Sequence, residues 1–133
     1  MATGGLKLVF DEQFSHRQVE FVARESRLAD LRHTRRMRWS GTPDKVWVPK
    51  AVQLGFVIVS ADRNERTRGF TVADLKSMDA RVILIGDFWN HWGRWDKAKW
   101  LVLRIEKIVE IAAGMTGGSA VLIVNRYCKA RDL

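Results

Sequence analysis

Two short runs, Phe56–Ser60 and Arg81–Ile85, are apolar at almost every position, and they constrain the fold more than any other feature. A strand with one solvated face alternates apolar and polar residues, whereas a continuous apolar run is typical of a strand covered on both faces. Helix-like stretches separate these runs from further apolar segments at 6–10, near 28–33 and at 120–126. The resulting βαβαβαβαβ order predicts an α/β fold: one three-layer, Rossmann-like domain over 1–133, with a mainly parallel sheet of about five strands.

The expected helix boundaries follow from capping residues. Ser15, with Gln18 as a capping-box partner, is predicted to begin the first helix, and Thr42, followed by Pro43 at the first helical position, the second. Thr71 is predicted to begin the third helix. A long fourth helix is expected over 96–113, where Gly114 ends it. Pro49 lies inside the second of these helices and removes a backbone donor, so that helix is expected to bend or to consist of two pieces.

The chain is strongly basic, which indicates an anionic partner. It has 23 basic and 15 acidic residues, a net charge of +8 and a pI near 10.3. The arginines concentrated between His16 and Arg38 are Arg17, Arg24, Arg27, Arg32, Arg35, Arg36 and Arg38. Their planar forks fit phosphate oxygens, and a basic surface binds polyanions by releasing counterions. A solvated face or a surface for an acidic protein remains open at this point.

Acidic residues recur where the predicted strands end. Asp11, Asp62 and Asp87 each follow an apolar run, and Asp44 lies in the first turn of a helix that starts on the same side. In parallel sheets, ligand sites form beyond the carboxyl ends of the strands. Clustered carboxylates repel one another unless a cation compensates, and Mg²⁺ or Mn²⁺ prefers oxygen ligands. Any one of these acids also fits a turn or a helix cap, so the metal site is predicted from the set.

Several segments resemble the PIN-like domains of VapC-type toxins, in particular a compact subgroup. "LVFDEQFSHRQVEFV" is similar to the opening strand and helix, and "TPDKVWVPKAVQLGFVIVSADRNER" to the next block of this subgroup. Weaker similarity extends through "VILIG" and "RWDKAKWLVLRIEKIVE". The resemblance implies a Mg²⁺- or Mn²⁺-dependent ribonuclease that cleaves single-stranded RNA. It also implies a toxin held inactive by a protein antitoxin, and it leaves a homodimer open.

The resemblance assigns the metal-binding, catalytic positions to Asp11, Asp44 and Asp62. Glu12 matches a supporting position beside the first acid, and Asp87 is the candidate for a fourth acid that the compact subgroup often lacks. The charge pattern predicts Arg17, Arg36, Arg63 and Arg66 as substrate-binding residues, with Arg68 nearby, and the arginines after Asp62 fit an exposed loop equally well. Trp89, Trp92 and Trp95 are expected either to close the core or to stack on single-stranded bases.

Two other functions fit parts of the pattern. A response-regulator receiver domain has an acid pair after its first strand and a phosphoacceptor aspartate after its third strand. Asp11 and Glu12 would match the acid pair, and Asp62 would match the phosphoacceptor. Asp87 and Lys129 do not match the later receiver positions, where a serine or threonine and a lysine followed by proline are expected. A catalytically silent RNA-binding module is the third alternative.

The compartment and the absence of a membrane span are also expectations. Cys128 is the single cysteine, which excludes an intramolecular disulfide and fits a reducing cytoplasm. The first residues lack the basic and apolar segments of a secretion signal, and no apolar run approaches the roughly 20 residues of a membrane span. The sequence therefore predicts a cytoplasmic protein.

Overall fold

A mainly parallel sheet organises the chain, and the computed structural model describes residues 5–61 and 71–133 of it. The strands are β1 (Lys7–Phe10), β2 (Asp30–His33), β3 (Phe56–Ser60), β4 (Arg81–Ile85), β5 (Ser119–Ile123) and β6 (Ala130–Asp132). Within the described residues they form one sheet in the order β2-β1-β3-β4-β5-β6. The first five strands are parallel to one another, and β6 is antiparallel to β5.

Helices connect the parallel strands, as the sequence predicted. They are α1 (His16–Ser26), α2 (Asp44–Gln53), α3 (Val72–Ser77) and α4 (Arg94–Ala113), with a 3-10 helix at Asp87–His91. In the part of the chain that the structure covers, no helix is both long and apolar enough to cross a membrane.

The two faces of the sheet are covered by separate apolar clusters. In β3, Val57 and Val59 join the cluster formed with α1 and α4, whereas Phe56 and Ile58 join the cluster formed with α2 and α3. Successive side chains of a strand point to opposite faces, so a strand apolar at every position fills two cores at once. All five residues of β3 are buried. The α/β class with helices on both faces is therefore confirmed.

Side-chain caps begin two of the described helices, and a third predicted cap is wrong. The Ser15 hydroxyl accepts from the Gln18 N–H, and Thr71 forms a full capping box with Asp74. Thr42, however, is not the cap of α2. Its N–H donates to the Trp39 carbonyl at 2.9 Å as part of the preceding turn, and Pro43 takes the cap position with an extended ψ of 146°. Because Pro43 itself is extended, the helix begins one residue later than predicted, at Asp44.

Helix α2 continues through Pro49, so the expectation of two pieces is wrong. The proline removes the donor to the carbonyl of Lys45 but fits into the helix, since the flanking Val48 and Ala51 are fully buried against the sheet. This burial stabilises the helix in spite of the missing hydrogen bond.

The last predicted strand is shorter than expected and is followed by one that was missed. β5 ends at Ile123 instead of Arg126, and a turn returns the chain as β6. The Asn125 side chain fixes this turn by accepting from the N–H groups of Tyr127 and Lys129, at 3.0 and 3.3 Å. β6 is exposed at all three positions, so it has no apolar pattern that would have indicated a strand.

The three tryptophans after β4 have different environments. Trp89 is 1% exposed and packs on Phe14 and Trp100, with ring centroids 4.9 and 5.6 Å apart. Trp92 is half-buried against the same cluster, whereas Trp95 is 81% exposed. The core interpretation therefore holds for Trp89 and, in part, for Trp92.

Candidate functional site

The order of the strands marks the place where a ligand site is expected. The chain moves from β1 outward to β2 and then crosses back to β3 on the other side of β1. A crevice forms beyond the carboxyl ends of two strands whose connections leave in opposite directions. The carboxyl ends of β1 and β3 therefore define the candidate site, and Asp11 directly follows β1.

Asp11 is held in a fixed orientation at this crevice. It is 7% exposed, and its backbone N–H donates to the Val59 carbonyl at 3.1 Å. One carboxylate oxygen accepts from the Gln13 N–H at 3.0 Å, and the other accepts from the fully buried Ser60 hydroxyl. These donors compensate for the burial of the acid and orient its carboxylate.

Glu12 is exposed but is also held by two hydroxyl groups. Oε1 accepts from Thr34 Oγ1 at 2.8 Å and from Ser40 Oγ. Burial raises the pKa of Glu12, but the bonds from Ser40 and Thr34, the charge of Arg35 and, in acid, a protonated His33 together outweigh it and hold the pKa below its usual value. Glu12 is therefore an anion at neutral pH.

Asp44 reaches the same site from the first turn of α2. Its Oδ1 accepts from the indole Nε1 of Trp47 at 2.9 Å, one turn later in the helix. Trp47 is buried against Trp39, with ring centroids 5.8 Å apart, so the indole donor is fixed by the core. Asp44 thus has a defined position at the start of α2.

These three acids line one cavity of about 280 Å³ at the end of β1. The lining residues are Asp11, Glu12, Gln13, Thr34, Trp39, Gly41, Thr42, Pro43, Asp44 and Trp47. Two of the three predicted catalytic acids, Asp11 and Asp44, are therefore brought together with the supporting Glu12. They come from two segments more than thirty positions apart in the sequence.

The donor set of this cavity fits a hard divalent cation. Its anionic groups are all carboxylates, and Mg²⁺ and Mn²⁺ take oxygen ligands. A carboxylate has about four lone-pair sites, so in general it can accept hydrogen bonds and hold an ion at the same time. Within 5–61 and 71–133, no group of three His, Cys, Asp or Glu side chains is close enough to hold a metal alone. A complete ligand set would need waters or a residue beyond these ranges, and Asp62 is such a residue.

Asp62, Arg63, Arg66 and Arg68 lie outside the described residues, so their predicted roles stay predictions. The chain approaches the cavity just before them, because Ser60, the last residue of β3, donates to Asp11.

Asp87 is placed elsewhere. It is the exposed first residue of the 3-10 helix after β4, and it is not among the residues that line the acid cavity.

The two predicted substrate arginines that the structure describes also lie outside the acid cavity. Arg17 borders a groove between α1 and α4, and Arg36 borders a cleft shared with Glu20, Arg24 and Asp30. Both side chains are exposed. A role in binding a long polyanion at some distance from the acids stays a prediction for both of them.

Sequence reasoning missed the polar residues that hold the acids. Ser60 is the one hydroxyl residue in an otherwise apolar strand, and this exception was the available signal. Thr34 and Ser40 follow β2 in an irregular segment, and nothing in their spacing connects them with Glu12.

His33 was also missed, and it supports the wall of the site as a neutral ring. It is 2% exposed; Nε2 lies 2.8 Å from the Phe14 carbonyl, and Nδ1 accepts from the Arg35 N–H at 3.0 Å. A carbonyl only accepts, so Nε2 carries the proton and Nδ1 must be unprotonated. Burial lowers the pKa of His33, against the raising effects of the Phe14 carbonyl and the Glu12 charge.

We expect His33 to make the protein less stable in mild acid. In the unfolded chain the imidazole takes up a proton near pH 6.5, whereas in the folded protein it does so only at lower pH. The unfolded state therefore binds more protons in this interval, and the free energy of unfolding falls with decreasing pH by up to about 1.4 kcal/mol per unit. Urea denaturation from pH 7.5 to 5.5 measures the slope.

The variant His33→Gln keeps a donor for the Phe14 carbonyl but does not titrate. It should show a flatter pH profile than the wild type between pH 6.5 and 5.5, even if its stability is lower throughout. Equal slopes in the two proteins would contradict the assignment of the neutral ring. His16, which is more exposed and lies 6.0 Å from His33 between ring centroids, provides the matched control as His16→Gln.

Comparison with protein-family models, with curated proteins and with solved structures finds no match to this chain.

Proposed function

We propose that this protein is a metal-dependent endoribonuclease of the PIN-like type that cleaves single-stranded RNA. The observation that carries the proposal is the convergence of Asp11, Glu12 and Asp44 on one cavity at the carboxyl edge of a parallel sheet, in a chain with a net charge of +8. Buried or fixed acids on a basic protein suit a reaction in which cations hold an RNA backbone and carboxylates hold an ion at the scissile bond.

The proposed ligands of Mg²⁺ or Mn²⁺ are Asp11, Asp44 and Asp62. A bound divalent ion would neutralise charge on the phosphodiester and lower the pKa of a water molecule so that it attacks the phosphorus. Ser60 and the Gln13 N–H orient Asp11 toward this role, and Trp47 orients Asp44. Glu12, whose pKa is lowered, adds negative charge to the cavity and is the candidate to position a water or an outer ligand.

Direct cleavage of RNA tests the proposal. The purified chain should cleave a fluorophore- and quencher-labelled single-stranded RNA in the presence of Mn²⁺ or Mg²⁺, and EDTA should stop the reaction. A double-stranded RNA of the same sequence should be cleaved more slowly. Binding of the single-stranded RNA without any cleavage, with or without metal, would instead identify a silent RNA-binding module.

A role as a toxin with a protein antitoxin belongs to the proposal through the resemblance to VapC-type domains. Expression of the wild-type chain alone is expected to arrest growth. Expression of the variant Asp11→Asn in its place should not. Unimpaired growth at a high level of folded wild-type protein would count against the toxin role and would leave the ribonuclease proposal standing.

One observation favours the receiver alternative. The parallel strands have the order 2-1-3-4-5, which is also the order in flavodoxin-like receiver domains. In that case Asp62 would accept a phosphoryl group, with Asp11 and Glu12 beside it. Incubation with acetyl phosphate and Mg²⁺ followed by mass spectrometry discriminates the two, because a ribonuclease of the proposed type should acquire no acyl phosphate on Asp62.

A further inference from the structure

A second cavity, of about 420 Å³, lies between the first half of α4 and the turn that joins β5 to β6. Trp92, Lys99, Trp100 and Arg104 come from α4 or the residues before it, and Arg126 and Tyr127 come from the turn. We call this cavity the Tyr127 pocket. Its volume lies within the range of about 300 to 1,000 Å³ that is usual for small-ligand sites.

The Tyr127 pocket is built around a fixed carbonyl. The carbonyl of Arg126 accepts from Trp100 Nε1 at 2.8 Å and from Arg104 Nε at 3.1 Å. Trp100 is 4% exposed, so its indole anchors the turn to the core. The Asn125 side chain fixes the same turn from inside. The pocket is thus held by hydrogen bonds that order its exposed residues in advance.

The exposed wall of the pocket combines an aromatic ring with guanidinium groups. Tyr127 is 63% exposed, and the guanidinium carbons of Arg126 and Arg104 lie 5.1 and 5.7 Å from its ring centroid. Arg126 Nη2 also donates to the Tyr127 hydroxyl at 3.0 Å. Aromatic rings and arginine planes are the surfaces on which unpaired nucleobases stack.

The charge of the pocket is suited to phosphate. Among its lining residues, Lys99, Arg104 and Arg126 are cationic, and Asp96 is the single acid, 3.5 Å from Lys99 Nζ. A guanidinium has five N–H donors, and the bond from Arg104 Nε to the turn uses one of them. A phosphate can therefore be bound beside a stacked base.

We infer that the Tyr127 pocket is a nucleotide subsite for single-stranded RNA, with a base stacked on Tyr127 and the adjoining phosphate bound by Arg104 and Arg126. The inference rests on the proposed function for the identity of the polymer. An acidic peptide would be attracted by the same cations, but it would not use the exposed part of the Tyr127 ring or the guanidinium planes that lie over it. The combination of stacking surface and cations favours a nucleic acid.

The position of the pocket connects it to the acid cavity. The turn after β5 and Asp11 after β1 lie at the same edge of the sheet, because β1 and β5 belong to its parallel part. Three strand spacings separate β1 from β5, or about 14 Å at roughly 4.8 Å each. A single strand that follows this edge of the sheet would therefore contact both, and the Tyr127 pocket would hold a nucleotide away from the scissile bond.

Binding without cleavage tests this inference separately from the proposed function. The affinity of a fluorescein-labelled single-stranded RNA decamer is measured by polarization in EDTA, on the full chain. Tyr127→Ala should weaken binding about tenfold although it removes no charge. Arg126→Ala should weaken it to a similar extent, and Tyr127→Phe should retain most of the affinity. Lys50→Ala, which removes an exposed charge at the end of α2, is the control and should change the affinity less than threefold.

Equal affinities of wild type and Tyr127→Ala would overturn the inference, and so would the absence of RNA binding by the wild type. Displacement of the RNA by polyglutamate with a Tyr127-dependent affinity would overturn it in favour of an acidic protein ligand. The supporting result is binding about tenfold weaker in Tyr127→Ala at an unchanged melting temperature. RNA cleavage in Mn²⁺ is scored independently, so either proposal can fail without the other.

Discussion

Replacing Asp11 by asparagine is expected to reduce metal-dependent RNA cleavage by about 10³-fold. Asp11 is the most buried of the acids in the cavity and is oriented by two hydrogen bonds. An amide keeps one oxygen but loses the negative charge. Loss of an ion that stabilises the transition state by several kcal/mol corresponds to such a factor, since each 1.36 kcal/mol is tenfold in rate. Single-turnover cleavage of labelled RNA at saturating Mn²⁺ measures the effect.

The substitution is conservative enough for the result to be interpreted as chemistry. The amide oxygen can accept from the Gln13 N–H, as the carboxylate does. The amide nitrogen can donate to the Ser60 hydroxyl oxygen, which reverses the direction of the bond that Ser60 makes with Asp11. We therefore expect a melting temperature close to that of the wild type. Asp132→Asn makes the same chemical change on the exposed strand β6 and should leave the rate unchanged. Activity of Asp11→Asn comparable to that of Asp132→Asn would exclude the proposed site.

The periodicity of apolar residues was sufficient to predict the α/β fold and the edge at which the acids meet. Strands such as Phe56–Ser60 are apolar at almost every position because they are covered on both faces, and this pattern can be recognised from a few consecutive residues. The carboxyl ends of parallel strands then lie at one edge whatever the order of the strands. Asp11 could be placed there from the sequence alone, and so could Asp44, whose helix starts on the same side.

The supporting contacts of the site could not be predicted, because they join residues that are distant in sequence. Ser60 contacts Asp11 across 49 positions, and Ser40 contacts Glu12 across 28. No local pattern encodes which hydroxyl will face which carboxylate once the strands are aligned. The same reason explains the missed strand β6: its pairing depends on the turn fixed by Asn125, and its residues are exposed and carry no apolar periodicity.

The environments of the three tryptophans after β4 also could not be predicted from the sequence. Trp89, Trp92 and Trp95 lie three residues apart, and both core packing and base stacking were open for all of them. The 3-10 helix at Asp87–His91 turns Trp89 toward Phe14 and Trp100, whereas Trp95 lies in the first turn of α4 and faces solvent. The helix that decides between them is a short, irregular element with no sequence signature of its own.

Replacing Trp89 by alanine is therefore expected to have the largest effect on stability, about 3 to 5 kcal/mol. The side chain is fully enclosed between Phe14 and Trp100, and Lys97 lies 5.2 Å above its ring, so its removal leaves a cavity that the surrounding rings cannot close. A domain of this size has about 5 to 15 kcal/mol in total, so such a loss is a large fraction of its stability. Trp95→Ala is the matched control and should change the free energy of unfolding by less than about 0.5 kcal/mol, because the ring is 81% exposed. Urea denaturation of both variants measures the difference, and a loss for Trp95→Ala as large as that for Trp89→Ala would contradict the environments described for the two rings.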